Sequence, residues 1–199
     1  GAFYNCQRLK EVKFLALGAA NKTIGDGAFY DCVGLNYVDF SVEDNGASCS
    51  ISMMGDAAFA VSSQETGNMS VFQFPNSIVS GDSIGSYLLG NRKKLNTVIL
   101  PTNLGVTTLE DTFVYKCVNL ESVVFPDGAN QASYDPSTFY SVTNPNFYVR
   151  GPKLNSNNTA ANCRKATWKA LFNYNTTENN GKHVPYVYNE GGVDYYEVS

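Results

Sequence analysis

The chain has 199 residues, a formal net charge of −4 and 16% charged residues. That balance leaves no basic footprint for nucleic acid or an anionic membrane surface, and no run of about 18 apolar residues exists to span a membrane as a helix. Tyr (13) and Phe (12) are abundant, as expected of a chain whose interior is filled by aromatic rings.

Taken in order, the chain repeats itself. Residues 1–14, GAFYNCQRLKEVKF, return in residues 24–40, IGDGAFYDCVGLNYVDF, at a spacing of 26: Phe3 to Phe29, Cys6 to Cys32, Leu9 to Leu35, Phe14 to Phe40. Gly1 falls in mid-repeat, so a chain cut from a longer precursor is the expectation. A third copy is disguised by an insertion, with Ala58-Phe59 opening it and Met69, Phe72 and Phe74 closing it. Residues 84–100 keep the opening Ile84-Gly85 and the closing Leu95, Val98 and Leu100. Residues 109–125, LEDTFVYKCVNLESVVF, align with residues 24–40 without a gap. A period in the twenties marks a solenoid, in which one coil cannot bury its own apolar face and neighbours must stack.

The pattern Ile-Gly-x-x-Ala-Phe-x-x-Cys-x-x-Leu-x-x-Val-x-Phe-(Pro) resembles the BspA-like leucine-rich-repeat family of bacterial and protist surface proteins, over roughly residues 1–150. The resemblance implies a surface or adhesive role. The chain departs from the better-known leucine-rich pattern in having no regular Asn ladder. Ser62 and Arg92 stand in the cysteine slot of two copies, so those coils are expected to be less regular.

Each repeat ends in an alternating segment. Val12/Phe14, Val38/Phe40, Phe72/Phe74, Val98/Leu100, Val123/Phe125 and Phe147/Val149 are expected to point inward at period two. Stacked in one sense, these segments form a parallel sheet on the concave wall, with the Ala-Phe part opposite as a turn or short helix. Pro75, Pro101 and Pro126 follow the last strand residue, where a missing N–H disturbs no ladder. Leu35 to Met69 spans 34 positions rather than 26, and the surplus is assigned to polar loops at 41–52 and 61–67. The fold class is therefore an α/β leucine-rich-repeat solenoid: residues 1–152 in about six coils, the first incomplete, then a cap at 153–199. The cap is expected to hold a helix over about 159–173, packing Trp168 and Phe172 on the last coil, and a hairpin around Asn189-Glu190-Gly191-Gly192.

Catalytic chemistry is mostly missing. Gly81-Asp82-Ser83-Ile84-Gly85 satisfies the nucleophile-elbow pattern, but Ile84-Gly85 is the repeat opening and the single His, His183, lies beyond the expected cap helix. Asp26, Asp31, Asp39 and Asp111 stand singly, with no carboxylate-pair or Ca²⁺-loop spacing. No Gly-rich phosphate cradle is visible, and Arg92-Lys93-Lys94 reads as a solvated face. Asn21, Asn68, Asn157 and Asn175 open glycosylation triplets, relevant in a eukaryotic source. Of five cysteines, Cys6, Cys32 and Cys117 share one slot and read as small buried apolar groups, without the paired spacings or His partners of a metal site; whether Cys49 and Cys163 pair stays open.

The expected function is a non-enzymatic, cofactor-free and metal-free recognition or adhesion module, secreted or on a cell surface, binding a protein or glycan that includes host-derived ones. A structural spacer in a larger secreted protein is the alternative. The outward strand residues are read as two columns: Glu11, Tyr37, Val71, Thr97, Ser122, and Lys13, Asp39, Gln73, Ile99, Val124, Tyr148. The candidate ligand-binding patch is Val71, Gln73, Thr97, Ile99, Ser122, Val124 and Tyr148, centred on the run Ile99, Val124, Tyr148.

Overall fold

The computed structural model describes residues 1–15, 22–40, 50–78, 84–101, 112–125, 142–144, 146–151, 186–190 and 192–197. The repeats stack as coils, and every strand is short: β1 (Glu11–Lys13), β2 (Lys22–Ile24), β3 (Tyr37–Asp39), β4 (Ser50–Met54), β5 (Val71–Gln73), β6 (Ser77–Ile78), β7 (Thr97–Ile99), β8 (Ser122–Val124), β9 (Tyr148–Arg150), β10 (Tyr186–Glu190) and β11 (Val193–Glu197). Three residues suffice per crossing because the bonding runs between coils rather than along them. Among the described residues there is no helix, and the Ala-Phe segments are turns. The fold is thus a solenoid of parallel strands and turns. The cap helix expected over 159–173, with Trp168 and Phe172, lies outside the described residues.

Successive coils touch through three backbone ladders. On the strand face β5, β7, β8 and β9 pair in parallel, as do β1 and β3. A second parallel sheet, β2–β4–β6, precedes the turns, and Met54 bridges on to Ile84. In the turns, Phe3 and Asn5 donate to the carbonyls of Ala28 and Tyr30, Phe29 and Asp31 to Ala58 and Ala60, Phe59 and Val61 to Leu88 and Gly90, and Leu89 and Asn91 to Phe113 and Tyr115. Between the ladders lies the core. Val38, Phe72, Val98, Val123 and Val149 fill it from the strand face, with Leu35, Met69, Leu95 and Leu120 behind them, all buried. Full burial of each such side chain contributes roughly 1.5–3 kcal/mol before chain entropy is subtracted. Phe3, Phe29 and Phe59 stack one coil upon the next, with ring centroids 5.1 Å apart and planes within 4°.

The Ile-Gly opening has a steric reason. A methyl group on Gly85 would run into the backbone of Gly55 and Asp56, and one on Gly55 into Gly25 and Asp26. The same corner carries a side-chain ladder: Asp26 Oδ1 accepts from the N–H of Asp56 (2.9 Å), and Asp56 Oδ1 from that of Ser86 (2.8 Å). An aspartate column thus does the work that an Asn ladder would do.

Three expectations need correction. The segment 41–52 is not all loop: Ser50–Met54 is β4, in the middle of the second sheet. The segment 61–67 does not wholly leave the solenoid either, since Val61 and Gly67 are buried. The strand-face sheet is also not continuous. β3 and β5 come from adjacent coils yet do not pair, so β1–β3 stands apart from β5–β7–β8–β9. Phe72 stands at this junction. Its slot holds Val12, Val38, Val98, Val123 and Val149 in the other coils, and the larger ring lies edge-on to Phe40 (6.2 Å) and Phe74 (4.9 Å). Phe14 and Phe40, by contrast, stack at 4.9 Å.

The hairpin read in the tail is present. β10 and β11 pair antiparallel about Gly192, whose φ of +84° suits glycine, and β10 extends the sheet by pairing in parallel with β9. Gly85→Ala should lower unfolding free energy by about 1–3 kcal/mol or more, as overpacking does. Gly25→Ala, with nothing within 4 Å of the added carbon, should cost far less. Denaturant unfolding of the two variants checks this, and equal losses would remove close coil contact as the reason for the glycine.

Candidate recognition surface on the strand face

The hydrogen-bonded register places the candidate residues in columns. Val71, Thr97, Ser122 and Tyr148 are partners in sequence, and so are Gln73, Ile99, Val124 and Arg150. Tyr148 therefore belongs to the first column, and Arg150, not Tyr148, stands next to Val124. The error came from matching Phe147/Val149 to Val123/Phe125, a shift of two residues. Val149 in fact pairs with Val123. The patch keeps all seven residues on one face, but its apolar run is Ile99–Val124 and then a cation.

Exposure falls along the face. Tyr37 (49%) and Val71 (42%) stand out into solvent, Thr97, Ile99, Val124 and Tyr148 are half-buried, and Ser122 is 4% exposed. The Ser122 hydroxyl donates to Thr97 Oγ1 (3.2 Å), which satisfies it where water is excluded. At the far end Arg150 reaches across β10 to pair with Asp194 of β11 (2.5 Å). Both partners are about one-third exposed, so the pair orients the hairpin more than it stabilises it. The described part of the tail thus lies beside β9, as further strands.

The cysteine slot holds the buried polar chemistry. Cys32 Sγ donates to the carbonyl of Phe3 one coil back (3.1 Å), and Cys117 Sγ to that of Leu89 (3.2 Å). In the slot between them Arg92 makes the same bond, its Nε donating to the carbonyl of Phe59. The guanidinium then runs on, across one whole coil, to the carbonyls of Leu35 (3.4 Å) and Cys32 (3.5 Å). Coil 3 makes room for it: Phe59 to Met69 is ten positions where Phe29 to Leu35 is six. Gly67, at φ +64°, faces Nη1 so closely that an added Cβ would lie 3.1 Å away. Arg92 is fully buried, and burial lowers its pKa to about 10, so it stays charged at neutral pH. Sequence reading took it for a solvated basic residue; the usable signal was a cation in a cysteine slot behind a lengthened coil.

Burial raises the thiol pKa of Cys32 and pushes that of Cys117 up to about 12. Cys6 departs from the expected burial and is exposed, because only coil 2 lies against its coil among the described residues. Cys49, Cys163 and His183 lie outside them, as does the Ser83 elbow. Among the described residues no group of three His, Cys, Asp or Glu is placed to hold a metal ion, and no helix is long and apolar enough to cross a membrane.

The model of the BspA type leucine rich repeat region matches this chain in six copies, over residues 1–65 and 53–161. The chain belongs to that family. Neither the curated proteins nor the solved structures provide a match to it.

Two measurements test the slot. Arg92→Lys offers one ammonium to three carbonyls, so unfolding free energy should fall by about 2 kcal/mol or more; an unchanged denaturant midpoint would show that the fork is not needed. Thiol labelling with peptide mapping should modify Cys6 quickly and Cys32 and Cys117 only on unfolding. Stability should also respond to alkali. The raised thiols keep protons in the fold that the unfolded chain loses from about pH 9, so their share is full below pH 9 and declines as pH rises towards 12. Arg92, lowered to about 10, works in the opposite sense above that pH. The melting temperature should therefore drop between pH 8 and 10, and drop less in Cys32→Ala/Cys117→Ala.

Proposed function

We propose that this member of the BspA-type leucine-rich-repeat family is a non-enzymatic recognition module of a secreted or cell-surface protein, binding a protein or glycan through the outward face of its strand sheet. The observation that carries this reading is the face itself. Two columns of side chains, Val71–Thr97–Ser122–Tyr148 and Gln73–Ile99–Val124–Arg150, stand in hydrogen-bonded register at strand spacings of about 4.8 Å. Their backbone is held by ladders on three sides of the coil, so a ligand meets a surface already ordered and little entropy is lost on binding. Family and fold support a binding scaffold without naming its ligand.

The spacer reading draws on one specific observation, the burial of Ser122 in the middle of the patch. A face already closed at its centre serves stacking better than capture. The two readings separate experimentally. Ile99→Asp/Val124→Asp places two charges on half-buried outward positions. Binding to arrays of extracellular-matrix proteins and glycans should fall at least tenfold in this variant, with the melting temperature held within a few degrees. Full retention of binding would remove the Ile99–Val124 run from the site. No binding of the parent chain to any spot would favour the spacer.

A further inference from the structure

Among the described residues, Cys6 and Cys32 are the one pair of cysteines that fills the slot in adjacent coils, since Cys117 follows Arg92. Their surroundings fix how far apart they lie. The rings just before the slot, Phe3–Phe29 and Tyr4–Tyr30, stack at 5.1 and 5.5 Å, and Phe14–Phe40 beyond it at 4.9 Å. A Cβ on Gly34 would lie 2.3 Å from the carbonyl oxygen of Gln7, so coil 2 rests directly on coil 1 beside the slot. The carbonyl of Phe3 accepts from both the Cys6 N–H (3.2 Å) and the Cys32 Sγ (3.1 Å). The buried thiol of Cys32 therefore sits against the backbone of Cys6, whose own side chain is exposed.

We infer that Cys6 and Cys32 form a redox-sensitive disulfide that clamps the first coil to the second. A coil separation of 4.9 to 5.5 Å puts the two Cα atoms inside the roughly 4.4–6.8 Å that a disulfide spans. The chemistry is exchange with a low-molecular-weight disulfide, RSSR. The exposed Cys6 thiolate attacks one of its sulfurs, forming Cys6–S–SR and releasing RS⁻, which takes up a proton. Cys32 then attacks Cys6 Sγ, the bond to SR breaks, and the Cys32 proton leaves with the second RSH. The protein loses two hydrogens with their electrons, and one RSSR becomes two RSH. The approach suits this step, because Cys32 lies on the coil-2 side of Cys6 and a group carried by the exposed thiol has the other side open. Burial raises the Cys32 pKa, so its attack is the slower step and quickens with pH. The clamp falls where the stack is least held. Phe3 and Tyr4 are half or more exposed, and β1 pairs with β3 alone among the described residues. Joining positions 26 apart restricts the unfolded chain and so favours the fold. The secreted or surface location proposed above is where such a bond persists.

The test uses the full chain, first fully reduced and then incubated with oxidised glutathione at mildly alkaline pH, with non-reducing peptide mapping by mass spectrometry. A glutathione adduct on Cys6 should appear first and give way to a Cys6–Cys32 cross-link. The melting temperature should then rise by about 4 °C or more and return when a dithiol reductant is added. Cys6→Ser, at an exposed position, should lose both the cross-link and the rise while keeping the melting temperature of the reduced parent. Cys49→Ser/Cys163→Ser should keep both; if that variant does not fold, the map of the parent chain still decides the pairing. The inference is overturned if Cys6 stops at the glutathione adduct, or if it pairs with Cys49, Cys163 or the Cys6 of a second molecule. A cross-link that forms only in denaturant, or one that leaves the melting temperature unchanged, overturns it as well.

Discussion

Everything in this molecule depends on how closely one coil can lie on the next. The corner at Gly25-Asp26, Gly55-Asp56 and Gly85-Ser86 sets that distance, because the glycine of each later coil has backbone from the preceding corner where its Cβ would be. With the approach fixed, the aspartate oxygens reach the next amide and the turn N–H groups meet the carbonyls of the following coil. The rings of Phe3, Phe29 and Phe59 then fall into contact at 5.1 Å. None of these bonds is strong alone, each contributing about 0.5–1.5 kcal/mol net. Repetition makes them sufficient, since a coil's stability is mostly its interface with its neighbours.

The repeat itself was legible from Phe, Cys, Leu and Val recurring at fixed offsets, and so was the inward set from Val38 to Val123. What escaped reading was whatever depends on partners in other coils. The sheet β2–β4–β6 is one case. Its strands are two to five residues long, and its register slips between Lys22 and Thr23, so Ser50–Met54 shows no clean alternation to mark it as strand. The column error at Tyr148 is another, because Phe147 and Val149 are both buried and either frame satisfies period two. The site was legible only as a face. Which of its residues are open depends on what lies over Ser122 and Val187, buried at 4% and 1% exposure, and no local pattern encodes that.

Arg92 shows how the family pattern bends without breaking. The slot asks for a donor to the preceding carbonyl, and a thiol supplies it with little volume in the other coils. A guanidinium supplies it too, but it brings a charge and a long stem into an interior where an uncompensated ion is costly. Coil 3 meets both demands by adding length between Phe59 and Met69, placing Gly67 beside the head group, and presenting carbonyls from coil 2 to the remaining N–H groups. The residues concerned are separated by up to 60 positions. The irregularity expected of coils lacking the cysteine is real, yet it forms a brace rather than a defect.

That brace bears on the break between β3 and β5. A break in one sheet would ordinarily suggest a hinge, with β1–β3 free to rock against the coils that follow. Three connections oppose this at the same junction. β2 and β4 remain paired between coils 2 and 3, the Phe29–Phe59 stack and its turn bonds are intact, and Arg92 ties coil 4 to coil 2 past the gap. Phe72 fills the space behind the break and is 1% exposed, so closing the break would require displacing a packed ring. The same contacts that hold the stack together therefore span the break.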